Sequence, residues 1–244
     1  MSASMRPREH GRLLVLGIYF ADERNAVDEI VSEIDRSRAW SVDQRWIAFG
    51  KAPQQGRVAA VTVDRLARAE PKFVILNRAL AHVKLEDYAF VMVCDDDVVL
   101  PAGFVDEYLG LVSEFDFALC QPARTHDSYI DHAFVEQLDG LAARWTRFVE
   151  IGPLFSMRRD ALALLVPFDE QSPMGWGYDF VWPHRLESAG LRLGIIDRVP
   201  VAHSIRKPVA HYEHAAADEQ MKRYLSARPH LPRDEAFFIV EAYA

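Results

Sequence analysis

The chain has 244 residues, half of them hydrophobic and about a quarter charged, with a formal net charge of -8. That length suits one large α/β domain or two small ones and can bury a substantial core. The acidic balance and the lack of a long Lys/Arg block argue against a nucleic-acid partner. Cys94 and Cys120 form no CxxC or Cys/His cluster that would suggest zinc, and no run approaches the ~18 apolar residues of a membrane span.

Residues 1–11, "MSASMRPREHG", lack the apolar stretch of a secretory leader and are expected to be a disordered tail. A cytoplasmic location is the default, with peripheral membrane contact left open. "RLLVLGIYF" (12–20) reads as a strand. Val27, Ile30, Val31 and Ile34 then recur at helical spacing. "QRWIAFG" reads as a second strand and "RVAAVTVD" as a short third. Pro71 opens a helix over "PKFVILNRALAHVK", "AFVMVC" is the next strand, "PAGFVDEYLGLVSEF" a helix and "FALCQP" a strand. In the second half, "RFVEIGPLFSM" reads as a strand broken or bulged at Gly152 and Pro153. "RRDALALLVPF" is a short helix, "GWGYDFVWPHRLESAG" a glycine-flexible loop feeding a helix, and "RLGIIDRVPVAH" a last or bent strand. The remainder is read as polar and helical up to the apolar run "AFFIVEAYA". Alternation of this kind predicts a single α/β domain over 12–244, with a mostly parallel central sheet covered by helices. Ligands in such sheets bind beyond the carboxyl ends of the strands.

Asp95, Asp96 and Asp97 follow the apolar strand directly. Three adjacent acids repel one another, and a divalent metal is the simplest offset. Alternate residues of a strand point the same way, so Asp95 and Asp97 can converge while Asp96 points elsewhere. Two carboxylates plus phosphate oxygens suit Mg²⁺ or Mn²⁺. The bland alternative is an acidic turn capping the next helix. Two enzyme classes use the arrangement: nucleotide-sugar transferases of the GT-A type, with a DxD, and phosphatases of the haloacid dehalogenase type, with Asp95 as nucleophile and Asp97 as acid/base. The phosphatase reading ranks second. About ninety residues with their own strands precede the triplet, and the late strand "LGIID" offers only Asp197. In "MGWGYDF", Gly175 and Gly177 let the chain approach a ligand, Trp176 and Tyr178 offer rings to a sugar face, and Asp179 offers a base. Its bland alternative is a glycine turn with Asp179 as helix cap.

The order of "CDDD", "FVEIGPLFSM", "GWGYDF" and "GIIDRVPVAH" resembles the DUF707 family over about 72–208. "GWGYD" is also similar to the GWGxED loop of inverting galactosyltransferases, with one acid here in place of two. The resemblance implies a GT-A fold: residues 12–122 as the nucleotide-sugar half, 123–210 as the acceptor half and 211–244 as a helical extension. It implies that Asp97 and Asp95 bind metal and that Asp95 and Asp96 face the donor. His203 would complete the Mn²⁺ or Mg²⁺ site, and Asn77 and Lys72 would lie at the nucleotide. Arg206 and Lys207 would neutralise the departing diphosphate, and Asp179 would be the base. Glu150, an acid within an apolar run, faces the acceptor pocket as a second catalytic candidate or pairs with Arg147 or Arg158. The implied activity moves a sugar from a nucleoside diphosphate sugar, UDP-linked by preference, to a glycan or glycolipid hydroxyl with inversion. A non-catalytic nucleotide-sugar-binding module is the remaining alternative.

Overall fold

The computed structural model describes residues 11–68, 70–206 and 214–244. Strand β1 (Arg12–Phe20) is buried at every position from Leu13 to Tyr19, as a strand covered on both faces must be. It is flanked in parallel by β2 (Ser41–Phe49) and β4 (Phe90–Asp95), and β2 in turn by β3 (Thr62–Leu66). Helices α1 (Val27–Asp35), α2 (Gly56–Val61) and α3 (Lys72–Leu80) connect these strands. Beyond β4, helix α4 (Phe104–Glu114) leads to β5 (Phe117–Arg124), β6 (Ala143–Thr146) and β7 (Leu154–Arg158). Helices α5 (Arg159–Leu165) and α6 (Tyr178–Ser188) precede β8 (Arg192–Val201). The chain continues through α7 (His214–Ser226) and α8 (Arg233–Ala236) to β9 (Ile239–Tyr243).

Among the described residues one nine-stranded sheet results, in the order β3-β2-β1-β4-β7-β5-β8-β6-β9. Its first half is parallel, as expected. The second is mixed: β7 runs antiparallel between β4 and β5, and β6 is antiparallel to both β8 and β9. The α/β expectation therefore holds, while "mostly parallel" describes only the first half. The physical reason is that β7 enters from the edge where β4 ends, with no crossover helix before it. Three local readings also change. "RVAAVTVD" divides into α2 and β3. The "RFVEIGP" stretch is irregular, and β7 begins only at Leu154. The C-terminal segment is not wholly helical, because β9 returns to pair with β6.

Apolar layers fill both faces of the sheet. One packs α1 and α4 with residues such as Ile30, Ile34, Phe104 and Tyr108, and the other packs α3, α5 and α6 with Phe73, Leu162 and Trp182. A smaller group, including Val135, Phe148, Phe180 and Leu231, sits on the second half. Among the described residues no helix is long and apolar enough to cross a membrane.

Candidate active site

Topology decides which residues meet. The carboxyl ends of β1 and β4 lie side by side, with Ile18 opposite Asp95. Because β7 is antiparallel, its start lies at that same edge, and the Asp95 amide donates to the Pro153 carbonyl at 2.8 Å. Arg124 closes β5 beside Val201 of β8. A bridge between Val99 and Ala202 then brings the two flanking loops together. The acidic triplet, the Glu150 segment, Arg124 and the His203 loop are thereby gathered along one edge.

The three carboxylates have three different environments. Asp95 is drawn to Lys72, whose Nζ lies 2.6 and 2.9 Å from its two oxygens. Asp96 is 1% exposed and accepts from the Phe20 amide at 2.7 Å and from both terminal nitrogens of Arg206. Burial pushes its pKa up to about 6, against the pull of Arg206 and the Phe20 amide. Asp97 Oδ1 is 3.2 Å from His203 Nε2, and its Oδ2 is 3.1 Å from Arg206 Nη2. Burial works against the Asp97 charge, but His203 and Arg206 outweigh it and hold its pKa below the ordinary value. His203 is itself fixed: its amide donates to Ser128 Oγ and its carbonyl accepts from the Tyr129 amide, both at 2.9 Å.

Asp95, Asp97 and His203 are not gathered as the three-ligand group expected from the sequence. Among the described residues no group of three His, Cys, Asp or Glu side chains is placed to hold an ion. Lys72 draws Asp95 to itself instead. Asp97 and His203 fit an ion nonetheless. Neighbouring ligands at ~2.1 Å from a metal stand roughly 3 Å apart, close to the Asp97–His203 spacing. Asp96 is corrected from a donor-facing residue to a structural anchor, because both its oxygens are engaged by the Phe20 amide and Arg206. Asn77 is engaged with the backbone of the segment before the glycine turn: its amide group donates to the Phe168 carbonyl and accepts from the Phe168 amide, both at 2.8 Å. Lys207 lies outside the described residues.

Across the edge, α6 begins at the glycine turn. Gly175 has φ +86°, and a Cβ there would run into the Phe73 ring and Ile151. Gly177 occupies the cap position with φ +93°, against Leu225 and Met221 of α7. These glycines permit close packing of protein on protein, which corrects the expectation that they admit a ligand. Tyr178 is fully buried, stacks with Trp182, and donates its hydroxyl to the Asp169 carbonyl, so it belongs to the core rather than to a sugar platform. Trp176 is half-buried, and its carbonyl accepts from Ser172 Oγ at 2.7 Å.

Asp179 is not the helix cap. It is 9% exposed, and its Oδ1 has no hydrogen-bond partner. Burial raises its pKa to about 7; His132 pulls the value down and Glu150 pushes it up. Glu150 pairs with neither Arg147, which binds Glu187 and Glu235, nor Arg158, which binds Asp160 and Asp116. Its Oε1 meets His132 Nδ1 at 2.9 Å and its Oε2 meets Arg124 Nη2 at 3.1 Å. Arg124 has no sequence signal beyond an arginine closing an apolar strand, and His132 none beyond its place in the loop "THDSYIDH" (125–132), whose His- and Asp-rich composition suits a lining of the acceptor side.

No protein-family model matches the chain, and no curated protein matches it in sequence, so the DUF707 resemblance rests on the four motifs alone. Solved structures do match. GalNAc-T7 with UDP, GalNAc and Mn²⁺ superposes with TM-score 0.62 at 12% identity, over 88% of this chain and 48% of that one. The mannosyltransferase PcManGT from Pyrobaculum calidifontis, in complex with GDP-Man and Mn²⁺, gives 0.55 at 17%, over 92% and 66%. S. aureus TarS 1-349 in complex with UDP gives 0.53 at 11%, over 88% and 70%. The chain therefore spans about half the length of GalNAc-T7. At these identities the shared property is the fold, a GT-A-like α/β architecture.

Proposed function

We propose that the protein is a metal-dependent glycosyltransferase that moves a sugar from a nucleoside diphosphate sugar, UDP-linked by preference, to a hydroxyl of a glycan or glycolipid, with inversion. The observation that carries this reading is the Asp97–His203 pair at the carboxyl edge of the sheet. The fold neighbours support it: GalNAc-T7 is in complex with UDP, GalNAc and Mn²⁺, and PcManGT with GDP-Man and Mn²⁺.

Asp97 and His203 would hold the metal, which supplies positive charge against the departing diphosphate. Diphosphate oxygens and water complete such a shell, since Mg²⁺-type sites need only one or two carboxylates from the protein. The chain's own groups do the rest. Lys72 and Arg206 bring two fixed cations to the acidic edge. Trp176 would stack its ring on an apolar face of the sugar. Asp179 accepts the acceptor's proton, because Glu150 has both oxygens engaged and Asp179 has one free. The phosphatase alternative lacks its second acid: Asp197 is fully buried and bound through both oxygens to Arg144 at 2.9 Å.

A thermal-shift series with UDP- and GDP-sugars, with and without Mn²⁺, tests the reading. A donor at a hundred times its Kd should stabilise by about 2.7 kcal/mol, and only with metal. Hydrolysis of simple phosphoesters through a phosphorylated Asp95 would replace this reading with the phosphatase. Metal-dependent donor binding without turnover would reduce it to a binding module.

A further inference from the structure

A guanidinium presents its donors in a rigid planar fork, enough to hold two carboxylates at once. Arg206 holds the last two acids of the triplet in this way. Its side chain is largely buried, with the guanidinium carbon 5.2 Å from the centre of the Phe20 ring. Nη1 donates to Asp96 Oδ2 and to the Arg24 carbonyl, both at 3.1 Å. Nη2 donates to Asp96 Oδ1 and, at 3.1 Å, to Asp97 Oδ2. Asp96 is a firm base for the fork. Its Oδ2 also accepts from the Phe20 amide, and its carbonyl accepts from the Ala26 amide, both at 2.7 Å. Asp97 therefore has one oxygen on Arg206, while the other lies 3.2 Å from His203 Nε2. A carboxylate is planar, so gripping one oxygen sets the direction of the other.

Resting on the reading of Asp97 and His203 as the metal pair, we propose that Arg206 is the positioning residue of that pair: fastened to Asp96, its fork grips Asp97 Oδ2 and aims Oδ1 toward His203. Outer hydrogen bonds of this kind orient metal-binding side chains before the ion arrives. The arrangement also answers the electrostatic objection to an arginine beside a cation site. Asp96 balances the guanidinium charge, which would otherwise repel a cation at Asp97. The middle acid thus acts at one remove: it is not a ligand, but it holds the arginine that orients one. His203 is fixed independently through its backbone, to Ser128 Oγ and the Tyr129 amide, so Arg206 sets only the carboxylate half of the pair.

The test separates orientation from charge and needs no turnover. Mn²⁺ binding to the full chain is measured by water-proton relaxation without nucleotide, on wild type, Arg206→Lys and the double variant Asp96→Asn/Arg206→Met. Lysine keeps the positive charge but has no fork to span two carboxylates. The double variant removes one charge of each sign, so the net charge beside Asp97 is kept and no buried ion is left unpaired. Both should bind Mn²⁺ about 10- to 100-fold more weakly than wild type, at a temperature where denaturant unfolding shows each to be folded. A merely structural arginine would lower the unfolding midpoint and leave the Mn²⁺ affinity of the folded chain alone. Wild-type or tighter affinity in Arg206→Lys, or in the double variant should the lysine chain not fold, would overturn the proposal and leave Arg206 a cation of the edge only. A wild-type chain that takes up no Mn²⁺ would instead overturn the metal pair itself, and the positioning role with it.

Discussion

Asp95, Asp96 and Asp97 are chemically identical side chains whose roles are set by their partners. Strand β4 ends at Asp95 and the chain turns through Asp96 and Asp97, so Lys72, the Phe20 amide, Arg206 and His203 divide the three between them. Asp96 and Asp97 should separate cleanly on mutation. Asp96→Ala removes the partner of an arginine that is itself largely buried, and should destabilise by about 3 kcal/mol in denaturant unfolding. Asp97→Asn should give up the stability of its ion pairs to His203 and Arg206 yet still fold, and lose Mn²⁺ binding by calorimetry. Normal Mn²⁺ affinity in Asp97→Asn would remove it from the metal site. Asp179→Asn keeps the volume and polarity of a side chain whose helix is capped by Gly177, so folding and donor binding should persist. Transfer should fall by ~10²–10⁴-fold, because an amide accepts no proton. Undiminished transfer would move the base elsewhere.

At the scale of elements, the base is aimed by the turn that launches α6. Gly175 holds a left-handed conformation over the Phe73 ring, and the Phe73 amide donates to the Pro173 carbonyl at 2.9 Å, tying the turn to the start of α3. Lys72 is the first residue of that helix, so the same contact relates the base to the acidic edge. Gly175→Ala combines an unfavourable φ with overlap on an unyielding ring, and should cost about 3 kcal/mol or more. A melting temperature equal to wild type would show that the turn tolerates a side chain. The same elements show what the sequence discloses. β1 and β4 are legible because burial on both faces leaves an unbroken apolar run, and α4 because its apolar residues keep the helical period. β6 and β9 are short, and β9 is largely exposed, so neither carries a period that distinguishes it from a loop. The acidic triplet is legible because its members are adjacent. Arg124, His132, Glu150 and Asp179 span 56 residues, and only the insertion of β7 beside β5 brings Arg124 to Glu150. No local spacing encodes that meeting.

For the molecule as a whole, placing charge-bearing groups under a sheet edge sets how stability responds to pH. Asp96, with its pKa near 6, and Asp179, near 7, are both raised by burial above the ordinary carboxylate value. Between that value and their own, the native state holds protons that the unfolded chain has released. Stability therefore falls as pH rises through this window. His132 acts in the same direction: its raised pKa contributes stability that is complete below about 6.5 and is lost as pH climbs through the folded value. The opposing group, Asp97, has a lowered pKa and loses its contribution only at pH below the ordinary carboxylate range. The metal-free protein should accordingly melt at a higher temperature at pH 5.5 than at pH 8, by calorimetric scans in EDTA. Asp179→Asn, which has no carboxyl to ionise, should flatten part of that slope while leaving the share due to Asp96. A melting temperature that climbs from pH 5.5 to 8 in EDTA would mean that neither buried carboxyl carries the raised pKa assigned to it.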